Sequence, residues 1–281
     1  MKPSPELCQR LITIGMLDDN EMGLSETSLI LAEAERPSID PKVYIRHLEK
    51  LTDDVAAYAG KDADSKIDGV NMRAEALQQI IAKRYGYNGS GDAYENFDCS
   101  NLMRVIDRRD GLPSLLGIIY LHVARALGWI MEGINFPPRF LIRIEFAGER
   151  KILDPFDGGR LLEPCDLRSL YKSVSGPHVE ITPEHTMPMT NRAIILRSQR
   201  NTRALHLRSN NLEQALDVID TLLLIAPKSP ALWREAGLLN TRLNRVRAAV
   251  TALENFLSLS GGDISQYGTS VLLQELRGRL S

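Results

Sequence analysis

The sequence predicts a mostly helical α+β protein that carries a small antiparallel sheet. A nearly continuous apolar run at 113–127 is typical of a helix buried on most sides. Residues 140–146 alternate in polarity, which is the period of a strand with one buried face. Two matching helical segments near the C-terminus indicate an internal repeat. With 281 residues and 43% hydrophobic content, the chain can bury a sizeable core and form about two domains.

The N-terminal quarter is predicted to consist of packing helices. Helix starts are expected at Ser4, Ser25 and Asp40, because these residue types cap helices well. Gly60 is expected to end the third helix, and a fourth is predicted over 71–83. In the third helix, apolar residues recur at three- and four-residue steps: Tyr44, Leu48, Leu51, Val55 and Tyr58.

The run at 113–127 is predicted to be the central helix of the core. Pro113 suits its first position, and Gly128 is expected to end it. Gly117 lies inside the run, where the missing side chain would let a neighbouring strand approach closely.

Residues 140–154 predict a β-hairpin. The alternating segment is expected to form the first strand, AGER at 147–150 the turn, and 151–154 the returning strand.

The C-terminal segment predicts a pair of helical repeats. Asn210 and Asn244 begin matching segments 34 positions apart, which is the tetratricopeptide (TPR) length. The helix between them carries most of the pattern of that repeat: Trp233, Ala236, Gly237 and Asn240. Its small residues would let paired helices pack closely. The segment 191–207 would be a degenerate first helix. Two full repeats are few for a solenoid, so the unit is expected to dock on the core, as a peptide-binding groove or as packing alone.

Three phrases of the chain resemble the bacterial SirB1-type family of transglutaminase-like, TPR repeat-containing proteins. They are SNLMRVIDRRDGLPSLLG, GINFPPRFLIRIE and LDPFDGGRLL. The resemblance covers nearly the whole chain. It implies a transglutaminase-like (papain-like) core at 61–172, preceded by a helical segment at 1–60 that packs on it. A linker at 173–190 and a TPR-like domain at 191–281 would follow.

Cysteine enzymes of the transglutaminase-like superfamily have a Cys at the start of the core helix, a His on the next strand and an Asp before a Pro. The resemblance puts Pro113 or Ser114, Arg139 and Asp154 at these places, so only the Asp is kept. SirB1-type proteins typically also lack the Cys, whereas the loss of the His is a departure from them. An arginine stays protonated at neutral pH and cannot serve as the base. We expect an Arg139–Asp154 ion pair in the vacated site.

The sequence therefore favours a non-catalytic transglutaminase-like protein that acts as an interaction or regulatory module. The alternative is an amide- or peptide-bond hydrolase, or an acyl transferase, with Ser114 or Cys99 as a displaced nucleophile. A histidine within hydrogen-bond reach of either would favour that alternative. Asp98 is expected to raise the pKa of the neighbouring Cys99 thiol. A third interpretation, a structural subunit of a larger complex, predicts a large exposed apolar patch.

Arg197, Arg200 and Arg234 are the predicted binding residues. In the repeat register they face the concave groove, and Arg forks bind carboxylates, so a protein or acidic peptide is the expected partner. A solvated basic face is the plainer alternative. Nucleic acid and membrane are not expected, because the net charge is −2 and no aromatic residues interleave with the arginines.

Composition sets the remaining expectations. The three cysteines are odd in number and far apart, so neither a disulfide framework nor a zinc site is expected, and no cofactor. No apolar run approaches the ~18 residues that span a bilayer, and no secretory leader is recognisable, so a cytoplasmic location is expected. The oligomeric state does not follow from the sequence.

Overall fold

The computed structural model describes residues 3–260 and 265–280, which form thirteen α-helices and a four-stranded antiparallel sheet. Contacts divide the chain into two units. The central unit is Asp19–Ser198, and the C-terminal unit joins Met1–Asp18 to Gln199–Ser281. The predicted α+β class is confirmed. No helix in the described ranges is long and apolar enough to cross a membrane.

The helices follow the chain order. Helix α1 spans Pro5–Met16. The central unit contains α2 (Leu24–Glu35), α3 (Lys42–Ala59), α4 (Gly69–Leu77), α5 (Leu102–Arg108), α6 (Pro113–Ala126), α7 (Pro164–Ser175) and α8 (Asn191–Ser198). The C-terminal unit continues with α9 (Arg200–Arg208), α10 (Leu212–Ile225), α11 (Pro230–Arg242), α12 (Val246–Leu259) and α13 (Ser265–Gly278). Helix α4 runs on directly into a π-helical stretch at Gln78–Arg84, so the fourth predicted helix is present.

The sheet has the strand order β1-β2-β3-β4. Its strands are β1 (Ile130–Ile134), β2 (Leu141–Phe146), β3 (Glu149–Asp154) and β4 (Arg160–Leu162). The β2–β3 turn is made by Ala147 and Gly148, both with positive φ, as a two-residue hairpin turn requires. The predicted hairpin is thus confirmed. The outer strands were not predicted, because such short strands carry little periodic signal.

Helix α6 lies at the centre of the central unit. Residues 113–121 are all buried, as are Val123 and Ala124. A Cβ at Gly117 would lie 2.3 Å from Cε1 of Phe140, the residue before β2. The predicted close approach at Gly117 is therefore confirmed.

The segment after α7 returns to the sheet. Pro188 forms a bridge to Ile134 of β1, and the Met189 N–H donates to the Gly133 carbonyl at 2.8 Å. The chain then enters α8, which packs against α2 and α6. This return brings the start of α8 to the central unit.

The repeat organises the C-terminal unit. Asn210 and Asn244, 34 positions apart, both have positive φ, at 54° and 58°, just before α10 and α12. On α11, a Cβ at Gly237 would lie 2.3 Å from Cδ2 of Leu253 on α12. The predicted close packing of this helix pair is confirmed.

Helix α1 packs against α10 within the same unit. A Cβ at Gly15 would lie 2.2 Å from the Leu224 carbonyl oxygen, so glycine permits direct backbone contact. The sequence prediction grouped residues 1–60 together, whereas the contacts place α2 and α3 in the central unit and α1 with the later helices. The single helix predicted at 191–207 is divided into α8 and α9 at Gln199.

Candidate functional site

The start of α6 has Pro113 and Ser114 where a cysteine enzyme has its cysteine. Pro113 occupies the first helical position, and Ser114 follows it with 5% of its surface exposed. Within the described ranges, none of the five histidines hydrogen-bonds to Ser114. Without a base in reach, this hydroxyl keeps its proton at neutral pH.

The predicted ion pair between Arg139 and Asp154 is present. The Arg139 Nη1 atom lies 2.9 Å from Asp154 Oδ2, and the Phe156 N–H donates to Oδ1 at 3.0 Å. The side chain of Asp154 is 1% exposed, whereas that of Arg139 is 28% exposed. Burial raises the pKa of Asp154, and Arg139 opposes that shift. The arginine therefore covers the acid that a catalytic histidine would otherwise contact.

A buried tyrosine lies beside this pair. Burial, and then the charge of Asp154, raise the pKa of Tyr120, whose hydroxyl has no hydrogen-bond partner in the described part of the chain. A Cβ at Gly159, where φ is +72°, would lie 2.7 Å from that hydroxyl. Asp154 thus has a guanidinium and a protonated phenol near it, and neither is a base at neutral pH.

Cys99 lies near the start of α6 but is not activated. Its carbonyl accepts the Leu112 N–H at 3.1 Å, and its side chain is buried. Burial, followed by the nearby Asp110 carboxylate, raises the pKa of Cys99 to about 11. Asp98 raises the pKa of Cys99 as predicted, but burial and Asp110 contribute more. The Asp98 carboxylate itself is paired with Arg104 and Arg108.

The histidines contact other groups. His47 Nε2 lies 2.8 Å from the Tyr87 hydroxyl and 2.8 Å from Arg109 Nη1. His185 contacts Tyr171 and Thr182. Within residues 3–260 and 265–280, none bonds to Cys99, and no group of three or more His, Cys, Asp or Glu could hold a metal ion. A displaced nucleophile at Ser114 or Cys99 therefore has no geometric support.

Arg197 belongs to a different unit from the other two predicted binding residues. It is on α8 in the central unit, where it contacts Asn135 and lies 5.9 Å from the centre of the Phe140 ring. Arg200 and Arg234 belong to the C-terminal unit. The three were predicted to share one groove, on the assumption that 191–207 forms one continuous helix. The break at Gln199 removes that basis.

The groove between α9 and α11 has a volume of about 540 Å³. Its lining residues follow one helical stripe on each helix: Arg200, Arg203, Ala204 and Leu207 on α9, and Glu235, Leu238, Leu239, Thr241 and Arg242 on α11. Arg200 is one of these lining residues. Arg234 is exposed on α11 and is not among these lining residues.

Arg203 crosses the groove to Glu235. Its Nη1 atom lies 2.8 Å from Glu235 Oε2, and the two side chains are 13% and 42% exposed. Burial lowers the pKa of Arg203, and its Nε has no partner in the described structure. Neither Arg200 nor Arg242 forms an ion pair within the described ranges, so the groove has an excess of positive charge. Arg203 and Arg242 were not predicted as binding residues, although their three- and four-residue spacing from other lining residues is a readable signal.

Comparison with known proteins identifies the class of protein. Residues 42–200 match the model of the transglutaminase-like superfamily, and residues 202–273 match that of the tetratricopeptide repeat. The first match spans more than half of the chain, so the protein belongs to the transglutaminase-like superfamily.

Three relatives show which members of this superfamily the chain is similar to. A UPF0162 protein of Xylella fastidiosa (strain 9a5c) is 28% identical over 254 residues, covering 88% of this chain and 87% of the relative. A UPF0162 protein of Vibrio cholerae is 28% identical over 243 residues, covering 85% and 87%. Protein SirB1 of Salmonella typhimurium is 28% identical over 199 residues, covering 69% and 74%. The resemblance to SirB1-type proteins is confirmed.

Proposed function

We propose that this protein is an interaction module in which the transglutaminase-like triad site is catalytically inert. The inertness of the triad site rests on the Arg139–Asp154 contact of 2.9 Å, which puts a permanent cation where the general base would be. Reagents directed at thiols should therefore not label Cys99 in the folded protein. Rapid, stoichiometric labelling of Cys99, lost in Cys99→Ala, would overturn this half of the proposal.

The groove between α9 and α11 is the proposed binding surface, and an acidic, leucine-containing peptide segment is the proposed partner. Arg200 and Arg242 lack carboxylate partners in the described structure, and an incoming carboxylate would supply one. Arg203 is already held in place and would donate from a partly buried position. The apolar part of the lining, including Leu207 and Leu238, would cover the partner's apolar side chains.

Fluorescence anisotropy tests the binding half. The probes are a labelled peptide of alternating Glu and Leu and a matched peptide with Gln in place of Glu. We expect the Glu peptide to bind more tightly, and Arg200→Glu with Arg242→Glu to weaken it by roughly 10-fold or more. Arg234→Glu is the matched control for Arg242→Glu alone, because each reverses one charge on α11 and only Arg242 is in the lining. Equal losses in these two single variants would show a diffuse charge effect and contradict the groove.

We also propose a cytoplasmic location. Cys8, Cys99 and Cys165 are all unpaired, which suits a reducing compartment. Cell fractionation with an antibody against the protein tests this, and recovery outside the cytoplasm would contradict it.

A further inference from the structure

A second cavity lies in the central unit, between the loop before α2 and the C-terminal half of α6. Its volume is about 350 Å³. Its lining includes Gly23 and Ser25 on one side and His122 and Arg125 on the other. None of the positions equivalent to the lost triad belongs to this lining.

The wall formed by the loop is held in place by α8. Asn191 Nδ2 donates to the Met22 carbonyl at 2.9 Å, and Arg192 Nε lies 2.9 Å from Asp19 Oδ1. Arg125 Nη1 in turn donates to Asn191 Oδ1 at 2.9 Å. The loop and α6 are thus tied together through one residue, so the cavity is preorganised.

Ser25 and His122 meet in this cavity. The Ser25 Oγ atom lies 2.8 Å from His122 Nδ1, although the residues are 97 positions apart. Both side chains are partly exposed. Burial lowers the pKa of His122, so the ring is neutral at pH 7, and the charge of Glu49 on α3 acts in the opposite direction. With the ring proton on Nε2, Nδ1 is an acceptor for the serine hydroxyl.

Ser25 also stands in the first turn of a helix. The first backbone hydrogen bond of that turn runs from the Thr27 N–H to the Gly23 carbonyl at 3.0 Å. The N–H groups of Leu24, Ser25 and Glu26 therefore have no acceptor inside the helix, and Gly23 has no side chain to cap them. Unpaired N–H groups beside a nucleophile are suited to stabilise a developing oxyanion.

From this geometry we infer that Ser25 and His122 form a nucleophile–base pair that hydrolyses small carboxylic esters in this cavity. Ser25 Oγ would bond to the ester carbonyl carbon while its proton passes to His122 Nδ1. The carbon–alkoxide bond would then break, and the alkoxide would leave as an alcohol with that proton. Water would attack the acyl-serine, give a proton to His122 and release the acid as Ser25 regains its proton. The net reaction consumes one ester and one water and yields one acid and one alcohol.

A fluorophosphonate probe tests this pair in the full chain. An activated serine displaces fluoride from the probe and stays phosphonylated. We expect one label per chain, mapped to Ser25 by mass spectrometry of peptides, and no label in Ser25→Ala. His122→Gln should slow labelling by roughly 100-fold or more, because a positioned base contributes about that factor. Hydrolysis of p-nitrophenyl acetate should fall in parallel.

Two controls separate this site from its surroundings. Ser28→Ala changes the same helix, but Ser28 Oγ already donates to the Leu24 carbonyl at 2.8 Å, so labelling should persist. Ser114→Ala tests the position equivalent to the lost cysteine, and labelling should persist there also. Circular dichroism of each variant verifies folding. Absence of labelling in the folded wild type, or labelling unchanged in both Ser25→Ala and His122→Gln, would overturn the inference. Neither result would bear on peptide binding in the α9–α11 groove.

Discussion

Two arginine–carboxylate pairs in this protein have opposite burial. In the central unit, the carboxylate of Asp154 is 1% exposed and the side chain of Arg139 is 28% exposed. In the C-terminal unit, Arg203 is the buried partner at 13% exposed, and Glu235 is 42% exposed. The contact distances are nearly the same, at 2.9 and 2.8 Å.

This difference decides what each pair can do. Asp154 is screened from water, so Arg139 is its main source of compensating charge and the pair is a structural element. Glu235 remains hydrated, so it can exchange its arginine for water at small cost, and another carboxylate could then bind Arg203. Under the proposed function, the same type of contact covers a buried acid in one unit and leaves an exchangeable partner in the other.

The largest expected effect on stability comes from removing Arg139, the ion-pair partner of the buried Asp154. Arg139→Ala should lower the free energy of unfolding by about 1 to 3 kcal/mol, because Asp154 would lose its counter-charge while buried. Urea unfolding followed by circular dichroism measures this.

A matched control for Arg139→Ala is Arg150→Ala. It breaks the ion pair between Arg150 and Glu145 on the β2–β3 hairpin, and the Arg150 side chain is 60% exposed. It should cost less than about 0.5 kcal/mol. Adding Asp154→Asn to Arg139→Ala should recover part of the loss. If Arg139→Ala and Arg150→Ala lower the urea unfolding midpoint equally, the burial of Asp154 does not make its ion pair more important for stability than the exposed one.

In the C-terminal unit Arg203→Met removes the less exposed partner instead; it keeps most of the apolar stem and removes the charge. We expect a smaller loss of stability, about 1 kcal/mol, because Glu235 stays hydrated. Binding of the Glu–Leu peptide should weaken by roughly 10-fold. A stability loss larger than that of Arg139→Ala would contradict the prediction that the Arg139–Asp154 pair contributes more to stability.

A third arginine contact, between Arg109 and His47, tests the combined effect of burial and a neighbouring positive charge. Burial, and then Arg109, lower the pKa of His47 to about 4. The unfolded chain binds this proton near pH 6.5 and the folded chain only near pH 4, so the contribution of His47 to stability falls as the pH drops between these values. The loss should be about 1 kcal/mol at pH 4.5, since His47 is only half-buried. His47→Gln should lose less stability than the wild type between pH 7 and 4.5 in urea titrations, and equal losses would contradict the assignment.

The smallest effect on stability is expected from Glu235→Gln. It should change the free energy of unfolding by less than about 0.5 kcal/mol, because Glu235 is 42% exposed and the Gln side-chain oxygen can still accept the hydrogen bond from Arg203. Peptide binding should become a few-fold tighter, because the carboxylate that competes for Arg203 is gone. Glu213→Gln, which breaks an exposed pair with Arg245 away from the groove lining, should leave binding unchanged. Weaker binding in Glu235→Gln would show that Glu235 contacts the partner directly.

The elements whose signal is local could be predicted from the sequence. The apolar run after Pro113 gave a buried helix, and the alternation before Asp154 gave the central hairpin. The repeat gave equivalent turns at Asn210 and Asn244. The Arg139–Asp154 pair was also predictable, because the family resemblance supplied the places of both residues, although Arg139 lies in the bend before β2 rather than on a strand.

The contacts between separate elements could not be predicted, because they depend on how those elements pack in the tertiary structure. The position of Arg197 followed from a break at Gln199 and from the packing of α8 on α2 and α6, neither of which has a signal in local periodicity. The contact of Ser25 with His122 joins residues from two helices that are far apart in the chain. Periodicity reports which face of a helix is apolar, but it does not report which other helix that face meets. That choice is made by the shapes and burial of whole elements, so these contacts became visible only in the folded chain.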